Sequence, residues 1–255
     1  MPNHVHNILS FKGDQSEISR LLSLIQYDDE EEENNGIGTI DFNKVIPMPK
    51  ELHETPESST KSDGMALVLH FSNPKNKKSY EGINKMSPSD FEYYVSMYKN
   101  ENKFRTVKTT LSDKEVQRMT QYTSIDELIS LGVKALGNMK KYGATCWYPW
   151  AIKNWGTKWN SYDNWYDGKS IITFNTAWSA PHSVIEKIAE MFPSVEIIHR
   201  WADEDIGSNC GKFTYKDGKC VKGFTDKTMS EDEAAMYAEA IWDTDVDFHK
   251  VDEAE

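Results

Sequence analysis

Polar and apolar positions alternate from the third residue onward. In NHVHNILSFK, Val5, Asn7, Leu9 and Phe11 fall on one side and His4, His6, Ile8 and Ser10 on the other, with Gly13 closing the run. That two-residue period predicts a strand. The period then lengthens: Ile18, Leu21, Leu22 and Ile25 share one helical face, and Asp14 with Glu17 three residues later supplies a start signal. The acidic run at 28–33 with Gly36 and Gly38 predicts a loop, IDFNKVIPMPKEL a short apolar segment with two prolines, and ETPESSTKSDG a polar loop. Helical signals dominate residues 65–143, where Ser87-Pro88 with Asp90, Ser112 with Glu115, and Ser124 with Glu127 each open a helix. Gly143 ends the third, and its stripe of Ile125, Leu128, Ile129, Leu131, Val133, Leu136 and Met139 reads as core.

After Gly143 the alternation returns. Two strand-like segments flank Asp167-Gly168, a tight-hairpin signal, and the first of them sets Trp159, Ser161, Asp163 and Trp165 against Lys158, Asn160, Tyr162, Asn164 and Tyr166. Ser179 and Pro181 open an amphipathic helix carrying Val184, Ile185, Ile188, Ala189 and Phe192, which Pro193 stops before the strand SVEIIHRW. Asp217-Gly218 repeats the hairpin signal, and Ser230 with Glu233 caps a last helix. With the helical block set aside, the order is strand, helix, hairpin, helix, strand. That is the β-α-β-β-α-β pattern of a ferredoxin-like α+β sheet. The expected organisation is a ferredoxin-like domain from residues 1–64 and 144–255, a helical insertion at 65–143, and an extra C-terminal hairpin and helix.

Composition changes this picture only locally. The net charge is −12, but residues 28–33 hold six acids and residues 230–255 ten acids against one lysine, so the rest of the chain is slightly basic. Both runs read as a solvated loop and a solvated tail, or as docking surfaces. No apolar run reaches the roughly 18–20 residues needed to span a bilayer, and the polar start lacks a signal-peptide pattern, which predicts a cytoplasmic protein with no membrane partner. Cys146, Cys210 and Cys220 read as reduced thiols, and no short-spaced ligand set predicts a metal. DTDVDF at 243–248 departs from a calcium loop, because Phe248 stands where glycine is required and Ala254 where an acid is. No cofactor is expected.

The motifs MPNHVHNILSF, DFNKVIPMP, IKNWGTKWN and ITFNTAWSAP, in this order across residues 1–181, resemble the YubB-like family of ferredoxin-like-fold proteins of phages and conjugative plasmids. In that family the opening usually reads Asn-Trp-Cys where this chain has Asn3, His4 and Val5, and the last motif usually has Asp where Asn175 stands. The resemblance implies a small accessory protein of a mobile element. It brings no catalytic residues with it.

Five of the eight tryptophans lie within residues 147–165, interleaved with Asn, Lys and Asp. Such a segment either packs an architectural joint, with Trp155 and Trp159 between sheet and insertion, or presents aromatic walls to a ligand. The candidate binding residues are Asn154, Trp155, Lys158, Trp159, Tyr162, Trp165, Tyr166 and Arg200. No catalytic set stands out: His4, His6, His182 and His199 read first as surface or core histidines. The expected function is therefore that of a non-enzymatic accessory protein of a phage or other mobile genetic element, binding and inhibiting a host protein of a defence system (anti-CRISPR or similar). The alternatives are a single-stranded nucleic-acid binder, with bases stacked on Tyr162 and Tyr166, and an unrecognised hydrolase.

Overall fold

The computed structural model describes residues 2–28, 35–73, 75–76, 80, 83, 87–101, 110–243 and 248. Most of the acidic run at 28–33 and the acidic tail past Asp243, Phe248 excepted, lie outside them, and with them the docking reading of both. The strands are His4–Lys12 (β1), Tyr162–Tyr166 (β2), Ile171–Ala177 (β3), Glu196–Asp203 (β4), Gly211–Lys216 (β5) and Lys219–Thr225 (β6). The helices are Gln15–Ile25 (α1), Phe42–Val45 (α2), Lys50–His53 (α3), Ser59–Ser72 (α4), Pro88–Glu101 (α5), Asp113–Met119 (α6), Ile125–Tyr142 (α7), Trp147–Asn154 (α8), His182–Met191 (α9) and Glu231–Trp242 (α10). None of the described helices is long and apolar enough to cross a membrane. The chain divides into two compact units, Met1–Pro47 with Ala151–Glu255 and Met48–Trp150. The second is wider at both ends than the 65–143 segment read from the sequence.

The first unit is built on one antiparallel sheet in the order β2-β3-β1-β4-β5-β6. Its first four strands with α1 and α9 make the ferredoxin-like β-α-β-β-α-β arrangement, and the β5–β6 hairpin extends the sheet from β4. Pairing fixes the faces. Val5, Asn7 and Leu9 line up with Thr176, Phe174 and Ile172 on one side and with Asp203, Trp201 and His199 on the other. This face carries α9, whose His182 ring lies 4.5 Å from Trp201, and Arg20 of α1 lies over the ring of Phe192, the residue after α9, at 4.5 Å. The opposite face places Ile8 and Ala202 with Ala234, Ala238 and Ile241 of α10 in one buried cluster.

Local chemistry explains most boundaries. Asp14 accepts the N–H groups of Ser16 and Glu17 at the start of α1, and full capping boxes open α6, α7 and α10 at Ser112, Ser124 and Ser230. At the β5–β6 turn Asp217 and Gly218 both hold positive φ, 52° and 74°, as a two-residue hairpin turn with matched twist requires. The Asp167-Gly168 connection is longer than the expected tight turn. The Asp167 carboxylate gathers the N–H groups of Lys169, Ser170 and Ile171, making residues 167–170 a four-residue loop.

In the second unit α4 and α7 form the centre, with Met65, Val68, Leu69, Leu128, Ile129, Leu136 and Met139 in one cluster. The helix α4 replaces a stretch whose start reads as a polar loop. Met65, Leu67, Val68, Leu69 and Phe71 are all buried, and so are Lys61 and His70, so burial extends around most of the helix and leaves no 3.6-residue apolar stripe. Its crossing with α7 is glycine on glycine: a Cβ on Gly64 would lie 2.2 Å from the Leu128 carbonyl oxygen, and one on Gly132 2.3 Å from the Gly64 oxygen.

Three outcomes follow. Gly132→Ala should destabilise the chain by about 1–3 kcal/mol through backbone overpacking, whereas Gly137→Ala, exposed on the same helix with open space around it, should stabilise it by up to about 1 kcal/mol. Thermal melting of the two variants checks the sign of each. Trp155 is buried edge-on to Phe42 and donates its Nε1–H to the Ile46 carbonyl at 2.9 Å, so Trp155→Ala should cost about 3–5 kcal/mol in the same assay.

The third outcome concerns pH. Burial holds His6 below its ordinary 6.5, depresses His182 to about 4, and, with His182 adding to the burial, takes His199 well below its ordinary value. The unfolded chain therefore binds more protons below pH 6.5 than the folded one. Stability should be full above that pH and fall on acidification, His182 alone contributing about 3 kcal/mol by pH 4. Chemical denaturation at stepped pH should show this slope, reduced in His182→Phe; an equal slope in both chains would exclude His182 as its source.

Candidate functional site

The face of the sheet that α10 covers is covered only in part. α10 packs on β4 and β1, with Trp242 against His6 at 5.3 Å and Ile171 of β3 in its buried cluster, while farther along β3 and on β2 side chains reach solvent. There Tyr162, Thr173 and Asn175 are half-buried and Trp165 is exposed.

A β-bulge assembles this surface. Tyr162 pairs with Asn175 and Trp165 with Thr173, so Asp163 and Asn164 together oppose the single residue Phe174. Asp163 takes the left-handed conformation, φ 52°, and its Oδ2 accepts the Asn175 Nδ2–H at 3.1 Å. The extra residue breaks the alternation expected for 158–166 and turns Tyr162 and Trp165 to the same face. Tyr166 pairs with Ile172 on the other, against Gly38, whose positive φ of 101° and missing Cβ let the ring approach.

Polar groups on the open face are ordered. The Tyr162 hydroxyl donates to the Thr176 carbonyl at 3.2 Å and so accepts from His4 Nδ1–H at 2.8 Å. Burial, with the Asp163 and Glu204 carboxylates adding to it, pushes this phenol up to about 12 and keeps it protonated. A second chain runs from His6 Nδ1–H to Asn175 Oδ1, 2.9 Å, and on to Asp163. Both chains hold rings in place rather than pair a nucleophile with a base.

Beside this face the tryptophans form a stack. The Lys158 ammonium lies 4.5 Å from the Trp159 ring and 4.7 Å from the Trp178 ring, and Trp159 meets Tyr162 edge-on at 6.4 Å. Trp159, Trp165 and Trp178 are 39%, 58% and 42% exposed, large fractions for the largest apolar side chain. Trp178 also holds φ at 73°, a conformation costing about 1–3 kcal/mol for a bulky residue. Hydrogen bonds hold it there: its N–H donates to the Asn3 carbonyl at 2.9 Å, and its carbonyl accepts from Asn209 Nδ2 at 3.0 Å. Asn3 and Asn209 are in turn fixed by the buried Asp203 carboxylate, each at 3.0 Å.

Of the residues singled out from sequence, Lys158, Trp159, Tyr162 and Trp165 come together here. Asn154 is half-buried, and Tyr166 faces the other way. Trp155 and Arg200 are buried: Trp155 packs on Phe42, and Arg200 lies on the α10 side of the sheet with its guanidinium 5.3 Å from the Phe248 ring. His182 and His199 are interior, in an aromatic cluster with Trp201 and Phe213. Asn7 spends its amide N–H groups on Val5 and Thr176, so its Oδ1 accepts from His199 Nε2–H at 3.0 Å, leaving His199 Nδ1 without a hydrogen bond. Among the described residues, no three His, Cys, Asp or Glu side chains gather as metal ligands would. His4, His6, Asp163, Asn175 and Trp178 were not among the residues singled out as a site. The bulge that gathers them leaves no periodic trace, and nothing in the sequence around Trp178 marks its φ.

Known proteins bear on the fold. No curated protein matches this chain. The crystal structure of protein api92 from Yersinia pseudotuberculosis is similar to it with a TM-score of 0.40 and 10% sequence identity, over 88% of this chain and 98% of that one. Residues 154–245 match the family model described as the ferredoxin-like domain in Api92-like protein, so this part of the chain is similar to that domain, and the narrower YubB-like likeness rests on the four sequence motifs alone.

Proposed function

We propose that this chain acts by binding a partner protein through the surface formed by Lys158, Trp159, Tyr162, Trp165 and Trp178. The observation that carries this reading is Trp178: an exposed indole on a strained backbone, clamped from both sides through Asp203. Backbone strain that surrounding structure holds in place beneath a partly exposed side chain is expected where a surface is used. Exposed tryptophans around a stacked cation have the composition of interface hot spots. In its narrower form the proposal is an accessory protein of a phage or other mobile element that inhibits a host defence protein in the cytoplasm. That form is supported by the motif resemblance. A single-stranded nucleic-acid partner fits less well, because the Lys158 ammonium lies over both the Trp159 and the Trp178 rings, where bases would stack.

The variant Trp178→Gly separates binding from folding. Glycine accepts φ 73° without strain, so the melting temperature should stay level or rise, while capture of a protein from bacterial lysate should fall by about 30-fold, as for a hot-spot residue. Equal capture by both chains, or capture of oligonucleotide that nuclease abolishes, would overturn the protein-binding proposal.

A further inference from the structure

Independently of that surface, the second unit holds a buried cluster of reactive side chains. Lys61, in the first turn of α4, is buried, and its Nζ lies 2.6 Å from Glu57 Oε2, 3.2 Å from Thr145 Oγ1 and 3.2 Å from Cys146 Sγ. Cys146, just before α8, is fully buried, and its thiol donates to the same Glu57 oxygen at 2.9 Å. One carboxylate oxygen thus touches both the amine and the thiol, while the rest of the Glu57 side chain reaches solvent. A buried lysine needs one good partner, and Glu57 is that partner.

We propose that Lys61 and Cys146 are the site of a reversible oxidative cross-link in which one oxygen atom bridges the two side chains, Nζ–O–Sγ, with hydrogen peroxide as the oxidant. One peroxide converts the thiol to sulfenic acid and releases water. A second oxidises Nζ to the hydroxylamine level, again releasing water, and the two groups condense with loss of a third water. Two peroxides are thereby reduced to three waters, Nζ and Sγ together lose two hydrogens, and one oxygen is retained. Four thiol equivalents reverse it, giving amine, thiol, water and two disulfides. Glu57 takes the ammonium and thiol protons and passes them to solvent. Burial, and then the Glu57 hydrogen bond, push the Cys146 thiol up, and although burial opposes the Lys61 charge, Glu57 and Cys146 leave the ammonium raised above its ordinary value. The resting pair is therefore protonated and responds to sustained rather than brief oxidant. Lys61 and Cys146 are 85 residues apart, so the bridge closes a loop through most of this unit and restricts its unfolded chain.

The test uses the full chain carrying Cys220→Ser, which removes the exposed thiol. After millimolar hydrogen peroxide the intact mass should rise by about 14 Da, one oxygen gained and two hydrogens lost. Peptide mapping should join the Lys61 and Cys146 peptides, dithiothreitol should undo the link, and the oxidised chain should melt higher. Cys146→Ser should abolish the species and Glu57→Gln should slow it. Unchanged mass, a gain of about 16 or 32 Da on Cys146 with Lys61 unlinked, or a joined species about 2 Da lighter, a direct N–S bond, would each overturn the proposal. The mapping is done on the chain with Lys61 and Cys146 intact, so failure of another variant to fold leaves it decisive.

Discussion

The constraint on which the sheet-bearing unit depends is the double pairing of β1. His4 to Ser10 pair with β3 on one side and Val5 to Lys12 with β4 on the other, and every further strand is registered through one of these two. Both faces are committed as well, Val5 and Leu9 to one and Ile8 to the α10 side of the other. A one-residue slip would exchange these sets and place His4, His6 and Ser10 in the main core. The polar residue on the main-core side, Asn7, answers the same constraint. It is fully buried, and its bonds to Val5, Thr176 and His199 tie β1 to both neighbours at once.

The same strand organises the open surface. His4 and His6 project from it toward Tyr162 and Asn175, and the residue just before it, Asn3, shares the Asp203 carboxylate with Asn209 to hold Trp178. A rigid core therefore positions an exposed aromatic group through short hydrogen-bonded chains, each beginning at the first residues of β1. The tryptophan-rich stretch resolves into two roles by position: Trp150 and Trp155 are buried, and Trp159 and Trp165 are displayed.

Much of this was legible because the signals are local. The capping boxes at Ser112, Ser124 and Ser230, the Asp217-Gly218 turn, and the alternation of β1 each occupy a few neighbouring residues. The β-α-β-β-α-β order followed from them, and the ferredoxin-like sheet bears it out. Other features were not legible because their causes are distant in sequence. The helix α4 is buried around most of its circumference and so lost its amphipathic stripe; the β2 bulge depends on an aspartate in a conformation that glycine usually fills; and Lys61 meets Cys146 across 85 residues. The burial of Arg200 was not legible for a related reason. Its alternation on β4 was visible, but the helix that covers it lies thirty residues later.

We propose that the clamped, exposed aromatic surface beside the open part of the sheet face is where this protein meets its partner. The most direct measurement is hydrogen exchange on the purified chain, free and bound to the protein it captures. Slowed exchange should be confined to residues 157–166 and 176–179, with β1 equally protected in both states. Unchanged exchange in those two segments, with protection elsewhere on the chain, would contradict it.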